Sequence, residues 1–264
     1  MCLIVVALRC HPDFPVILAG NRDEFHRRPA APAHRWQDAP DLVAGRDLEK
    51  GGTWLGVSRR GALAVVTNFR DPSRPRNAAA PSRGAMVTDF LLDRSQTAES
   101  FLQRHAHAES AYDGFNLIAG DPSGLWYGST RSDAPRRLDD GVHALSNHLL
   151  DTPWPKVRRL RQAMDDALAA LAFSPIDAAL FAALQDRTVA PDPDLPDTGI
   201  GLDWERRLAP AFIVSPDYGT RCSTVLTIDR TGQAVLQEHT FAPDGRCTGR
   251  VRATVRMREF PGQT

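Results

Sequence analysis

Over the first third of this 264-residue chain, apolar positions form short clusters bounded by Gly, Pro, Asp or Asn. Such runs predict strands at residues 3–8, 16–19, 53–58 and 62–68, with turns at Gly20, Gly51-Gly52 and Gly61. The pattern then changes period. Ser82 is placed to cap a helix over residues 86–92, and residues 97–105 read as a second short helix. Strands at 115–119 and 125–128 flank an Asp121-Pro122-Ser123-Gly124 turn. Trp154, Val157, Leu160, Met164, Leu168 and Leu171 recur at three- and four-residue steps, the clearest helix, and Ser174-Pro175 opens another. Residues 190–198, rich in Pro and Asp, predict a solvated loop that serves as a flap. Strands follow at 212–214, 224–228, 234–239 and 251–257. In the last, Val251, Ala253, Val255 and Met257 alternate with Arg252, Thr254, Arg256 and Arg258, the wet face of an edge strand. Strands, helices, then strands again suit antiparallel sheets with helices packed outside them. No composition break divides the chain, so residues 1–264 predict a single domain.

Charge narrows the function classes. The 32 basic and 32 acidic side chains cancel, so no net field draws nucleic acid or an acidic membrane. No apolar run approaches the ~18 residues that span a bilayer, which predicts no membrane insertion. The apolar start has no basic residue ahead of it, and no small-x-small cleavage site follows promptly, unlike a secretion signal. Cys2, Cys10, Cys222 and Cys247 form no CxxC pair and no zinc spacing. A cytoplasmic protein without structural disulfides or a metal site is the expectation, with a small molecule as its partner.

Candidate chemistry begins at Cys2. Loss of Met1 would put a thiol and a free α-amine on one residue, and that amine titrates at roughly 7.7–8.0, suited to a general base. An ordinary buried Cys is the bland alternative. Gly20-Asn21-Arg22-Asp23-Glu24 closes the second strand, where an aspartate can orient the amine and Arg22 can depress the thiol pKa; taken alone, a charged turn without duty is the simpler reading. Asn68 ends a strand and Asn147 precedes the strongest helix. Either amide can donate to an oxyanion, or merely cap its turn. Arg221 stands directly before a strand, able to bind a carboxylate or stabilise negative charge.

Asn21-Arg22-Asp23-Glu24 after a Cys2 start resembles the signature of the NRDE family, also called the transport and Golgi organisation 2 family. Further matches are Gly51-Gly52-Thr53-Trp54-Leu55-Gly56-Val57, Thr67-Asn68-Phe69-Arg70, Phe115-Asn116-Leu117, Leu145-Ser146-Asn147 with Pro153-Trp154-Pro155-Lys156, and Thr220-Arg221-Cys222-Ser223-Thr224. That family in turn resembles the N-terminal-nucleophile cysteine amidases that cleave conjugated bile salts and penicillin V. The resemblance implies an α+β, four-layer αββα sandwich with two antiparallel sheets. It implies Cys2 as nucleophile, Asp23 holding its amine, Asn68 and Asn147 as the two amides and Arg221 as the late arginine, with Asn21 and Arg22 on the substrate side. The amidases carry Gly-Arg-Asn-x-Asp where this chain has Gly20-Asn21-Arg22-Asp23, a shorter Arg-to-Asp spacing. Hydrolysis of a C–N amide bond requires no cofactor. The family's association with haem trafficking implies an alternative, a non-enzymatic carrier. Cys2, Cys222 or a histidine would meet the iron, with arginines on the propionates. His105 with His107 and His143 near His148 are the histidine pairs.

Overall fold

The computed structural model describes residues 2–74, 77, 79–93, 95–106, 112–170 and 175–260. Six strands come first: β1 (Cys2–Leu8), β2 (Val16–Phe25), β3 (Ala30–Arg35), β4 (Leu42–Asp47), β5 (Leu55–Ser58) and β6 (Leu63–Asn68). Helices α1 (Arg83–Leu92) and α2 (Ala98–Ala106) follow, then β7 (Phe115–Asp121), β8 (Gly124–Ser129), β9 (Arg136–Arg137) and β10 (Gly141–Leu145). Helices α3 (Pro155–Ala169), α4 (Ile176–Leu184) and α5 (Leu202–Leu208) precede β11 (Tyr218–Ile228), β12 (Gln233–Phe241) and β13 (Cys247–Arg256).

The strands form two antiparallel sheets. One runs β10-β1-β2-β11-β12-β13 and the other β3-β4-β5-β6-β7-β8-β9. Period-2 alternation decides what each strand face meets. Ile4, Val6, Leu8 and Leu18 point from the first sheet into a core shared with Val57, Leu63, Val65 and Ile118 of the second. Leu3, Val5, Ala7 and Ile17 point the other way, onto Val157, Leu160 and Met164 of α3 and Leu180 and Phe181 of α4. Ala64, Val66, Leu117 and Ala119 meet Met86, Phe90, Phe101 and Leu102 of α1 and α2. The layers are therefore helices, sheet, sheet, helices: the αββα sandwich that the resemblance implied.

Ser82 caps α1 as expected, its hydroxyl accepting from the Gly84 amide. The helix over 154–171 is α3, which starts at Pro155; Leu171 lies outside the described residues, as do Ser174 and His107. The arginine row is where the pattern put it, since Arg252, Thr254 and Arg256 are exposed on the outermost strand. Other expectations shift. Residues 212–214 form no strand; only Ile213 exchanges hydrogen bonds with Thr220 of β11, and Phe212 donates its amide to Asp186 O instead. Residues 190–198 are a pinned loop. The Asp192 carboxylate accepts from Arg206, and the Thr198 amide and hydroxyl both donate to Glu205.

Gly52 seats α1 against the start of β5. A Cβ there would come within 2.3 Å of the Gly84 carbonyl carbon and 2.6 Å of the Ala85 amide nitrogen, both backbone atoms of the first turn. Gly52→Ala is expected to push that turn away and cost about 1–3 kcal/mol, read as a lowered urea midpoint with an unchanged slope.

Candidate functional site

Cys2, Arg22 and Cys222 lie side by side in register on β1, β2 and β11, so their side chains share the face that looks towards the second sheet. Cys2 is 8% exposed and sits in a cleft of about 430 Å³. Arg22, Asp23 and Glu24 line the cleft beside it, Asn68 comes from the end of β6 and Trp54 from just before β5, and Ser82, Arg83 and Gly84 present the N-terminus of α1. The Cys2 carbonyl accepts from Ser146 Oγ at 3.1 Å, which fixes the strand start to the turn after β10. Burial pushes the Cys2 thiol up, Asp23 adds to that rise, and Arg22 opposes it. Met1, whose removal would free the amine, lies outside the described residues.

Arg22 sits over Trp54, its guanidinium carbon 4.4 Å from the ring centroid, with Nη2 4.0 Å from Asp47 Oδ2. Asp47 is engaged more closely by Arg28, at 2.7–2.8 Å. Arg22 Nη1 is buried and makes no hydrogen bond among the described residues. A buried donor left this way is ready for an anionic or carbonyl oxygen in the cleft.

The two amides form a pair. Asn147, fully buried, donates Nδ2 to both the backbone oxygen and Oδ1 of Asn68, each at 3.0 Å. Its own Oδ1 accepts from Ser146. Asn147 is thus spent behind Asn68, and this bond turns the Asn68 Nδ2 away from Asn147. Asn68 lines the cleft and Asn147 does not.

Asn21 and Arg221 are placed elsewhere. Alternation turns Asn21 to the helix side, where Nδ2 donates to Leu184 O and Ala211 O and Oδ1 accepts from Ser223. A register shift between Thr220 and Cys222 bulges Arg221 out of the ladder. Its Nη1 donates to Phe25 O and Arg28 O, both at 2.9 Å, bracing the turn after β2 rather than facing Cys2.

Asp23 is buried. Its Oδ1 accepts from Thr220 Oγ1 at 2.7 Å and its carbonyl accepts from Tyr218 Oη at 3.0 Å. Burial pushes the carboxyl up, and Lys156, Thr220 and Arg22 offset only part of that rise. Lys156, 3% exposed, rises from the first turn of α3 and donates Nζ to Leu208 O at 2.9 Å. Burial lowers it to about 8, with Asp23 and Cys2 resisting. Close by, Arg70 bonds Glu205 at 2.6 Å and stacks 5.0 Å over Trp154. Sequence reading missed Lys156, Arg70, Glu205, Trp54 and Tyr218 as chemistry. Lys156 sits inside the Pro-Trp-Pro-Lys match, but a lysine in a first helical turn ordinarily reads as a surface residue.

All four cysteines are free. Among the described residues no group of three or more His, Cys, Asp or Glu gathers to hold a metal, and no helix is long and apolar enough to cross a membrane.

A model of the family described as Transport and Golgi organisation 2 matches residues 1–243. The chain belongs to that family. Among family relatives, the Bos taurus Transport and Golgi organization protein 2 homolog is 36% identical, the match covering 91% of this chain and 93% of that protein. The Homo sapiens homolog is 34% identical over the same shares. Two solved structures are more distantly similar. A Caenorhabditis elegans N-acylethanolamine-hydrolyzing acid amidase ortholog has 11% identity and a TM-score of 0.46, covering 86% of this chain and 92% of its own. A C2A mutant of the Clostridium perfringens conjugated bile acid hydrolase has 7% identity and a TM-score of 0.49, covering 100% and 94%. The layer order of this Transport and Golgi organisation 2 family member stands on its own strand pairings.

Lys156 gives the site a pH signature. Its folded pKa of about 8 lies below the ~10.4 of an exposed lysine, so between those values the unfolded chain binds more protons. Its contribution to stability therefore rises with pH through that window and is lost as pH falls through about 8. Lys156→Met removes this rise. Urea denaturation at pH 7 and pH 10 is expected to show wild type gaining on the variant by on the order of 2 kcal/mol.

Proposed function

We propose that the protein is a cysteine amidohydrolase that cleaves the C–N bond of a small acyl amide, with Cys2 as nucleophile once Met1 is removed. The observation that supports this reading most is the meeting of Cys2, Asn68 and the underbonded Arg22 in one cleft. The α-amine of Cys2 takes the thiol proton, and Sγ attacks the amide carbon. Asn68 Nδ2 donates to the oxygen that becomes negative, and Arg22 Nη1 is a second donor within the same cleft. The tetrahedral adduct collapses with loss of the amine, which carries away the proton held by the Cys2 ammonium. Water then attacks the thioester with the same amine as base. This releases the acid and restores the thiol. Asp23 orients the amine, Asn147 holds Asn68 in its donating pose, and Arg221 supports the loop that carries Arg28. A free thiol nucleophile suits the reducing cytoplasm.

Mass spectrometry of the native N-terminus is expected to show Cys2 first; full retention of Met1 ends the mechanism, because an amide nitrogen cannot serve as base. In a screen of N-acyl amides, Cys2→Ala is expected to abolish turnover and Asn68→Ala to lower kcat about 10²–10³-fold with KM little changed.

The buried Arg22 donor also favours a second reading, in which the cleft carries haem as cargo, with Arg22 on a propionate and Cys2 on the iron. No histidine is among the described residues lining the cleft. A saturable Soret shift on haem titration, lost in Cys2→Ala, supports carriage. A featureless, non-saturating change removes it.

A further inference from the structure

Asn116 is fully buried, yet it lines no part of the cleft. It stands opposite Thr67 on the neighbouring strand, on the face of the second sheet that looks towards the first. Its Nδ2 donates to Thr67 Oγ1 at 3.1 Å and to His148 O at 3.0 Å, and its Oδ1 accepts from Tyr127 Oη at 2.8 Å. Thr67 Oγ1 donates in turn to Ser146 O at 2.8 Å, and Tyr127 Oη accepts from the Leu150 amide at 3.2 Å. A carbonyl can only accept, so His148 O obliges the nitrogen of the Asn116 amide to face it. Each hydroxyl has one proton and spends it once. The bonds therefore run in one direction, from the Leu150 amide to the Ser146 carbonyl.

The backbone groups received in this way belong to residues 146, 148 and 150, in the turn that follows β10. The carbonyl of Asn147, between them, accepts from the Arg70 amide at 2.7 Å. The same turn also serves the cleft. Ser146 Oγ donates to Cys2 O at 3.1 Å, and Asn147 Nδ2 donates to Asn68 at 3.0 Å. Cys2 belongs to the first sheet and Asn68 to the second, so the hydrogen-bond ladder of neither sheet fixes the spacing between them. The turn is a polar bridge that bonds to both. Asn116 links the two hydroxyls that hold its ends.

We propose that Asn116 is a positioning residue: through Thr67, Tyr127 and the 146–150 turn it sets the spacing between the Cys2 thiol and the Asn68 amide across the two sheets. It touches no reacting atom. Without it, His148 O loses its donor and the Tyr127 hydroxyl loses its acceptor, both in a buried place where such groups need partners. The turn is then free to shift against the second sheet while β10 and β1 hold its other end. The effect on turnover rests on the hydrolase reading, whereas the bridge itself can be tested without any substrate.

The test uses Asn116→Leu, which is close in size, adds no charge and removes all three side-chain bonds. In nitrogen-15 spectra of the full-length protein, with Asn68→Ala identifying the resonance, the Asn68 side-chain amide is expected to shift in Asn116→Leu. Phe101→Leu, a core change beside Phe90 in the α1–α2 layer, loosens the protein elsewhere and is expected to leave that resonance in place. An unmoved Asn68 resonance in Asn116→Leu, or an equal shift in Phe101→Leu, overturns the proposal. Should Asn116→Leu fail to fold, Tyr127→Phe takes its place, since it deletes one hydroxyl of the same bridge; a smaller shift is expected, and none overturns the proposal. On an acyl amide that the wild type cleaves, Asn116→Leu is expected to lower kcat about 10–100-fold with KM little changed, and less than about twofold further where Asn68 is already Ala. Losses that simply multiply with those of Asn68→Ala, or that fall on KM alone, overturn the role. A protein that shows the amide shift and cleaves no acyl amide keeps the bridge and loses the hydrolase reading.

Discussion

The constraint on which the molecule depends is that β1 has no wet side. Its seven residues are buried, β10 and β2 hydrogen-bond both its edges, and its two faces lie in different cores. A slip of one residue in its pairing would exchange every side chain between those cores and send Cys2 to the helix layer. Two apolar faces and two occupied edges forbid that slip. The position of one sulfur is thereby set by the whole strand rather than by the few atoms around it, which is how a residue at the start of a strand can be held for chemistry at all.

The first sheet also works as a partition between two electrostatic settings. On its inner face, Arg22, Trp54, Arg28 and Asp47 form a half-open assembly with one guanidinium nitrogen unspent. Under the helices, Lys156, Arg70 and Glu205 are enclosed and nearly dry. Adjacent residues of one strand, Asn21 and Arg22, serve opposite sides because a strand alternates. Cys2 stands where the partition ends and both settings reach it.

Much of this was legible in the chain and some was not, for reasons that differ by element. Residues 3–8, 63–68 and the helix under Trp154 announced themselves because burial on one or two faces leaves an apolar period. The strands β3 and β4 were invisible: β3 exposes Pro32 and Arg35, and β4 ends in Arg46, which pairs with Asp38 at the surface, and Asp47, which lines the cleft. Within the site, Cys2, Arg22, Asp23 and Asn68 come together as their motifs suggested. Arg221 did not, because a bulge reverses the side a residue faces and leaves no mark in composition. Asn21 failed for a simpler reason, as the same alternation that brings Arg22 to the cleft takes Asn21 away. The burial of Lys156 depends on a loop folding over it from fifty residues further on, and no local pattern encodes that.

The arginine row of β13 bears on a matter remote from the site. An outermost strand leaves a line of backbone donors and acceptors open, and another chain's strand could extend the sheet by adding to it. Arg250, Arg252 and Arg256, exposed on one face with Thr254 between them, confront any identical incoming strand with like charge, so the sandwich resists growing into ribbons of its own copies.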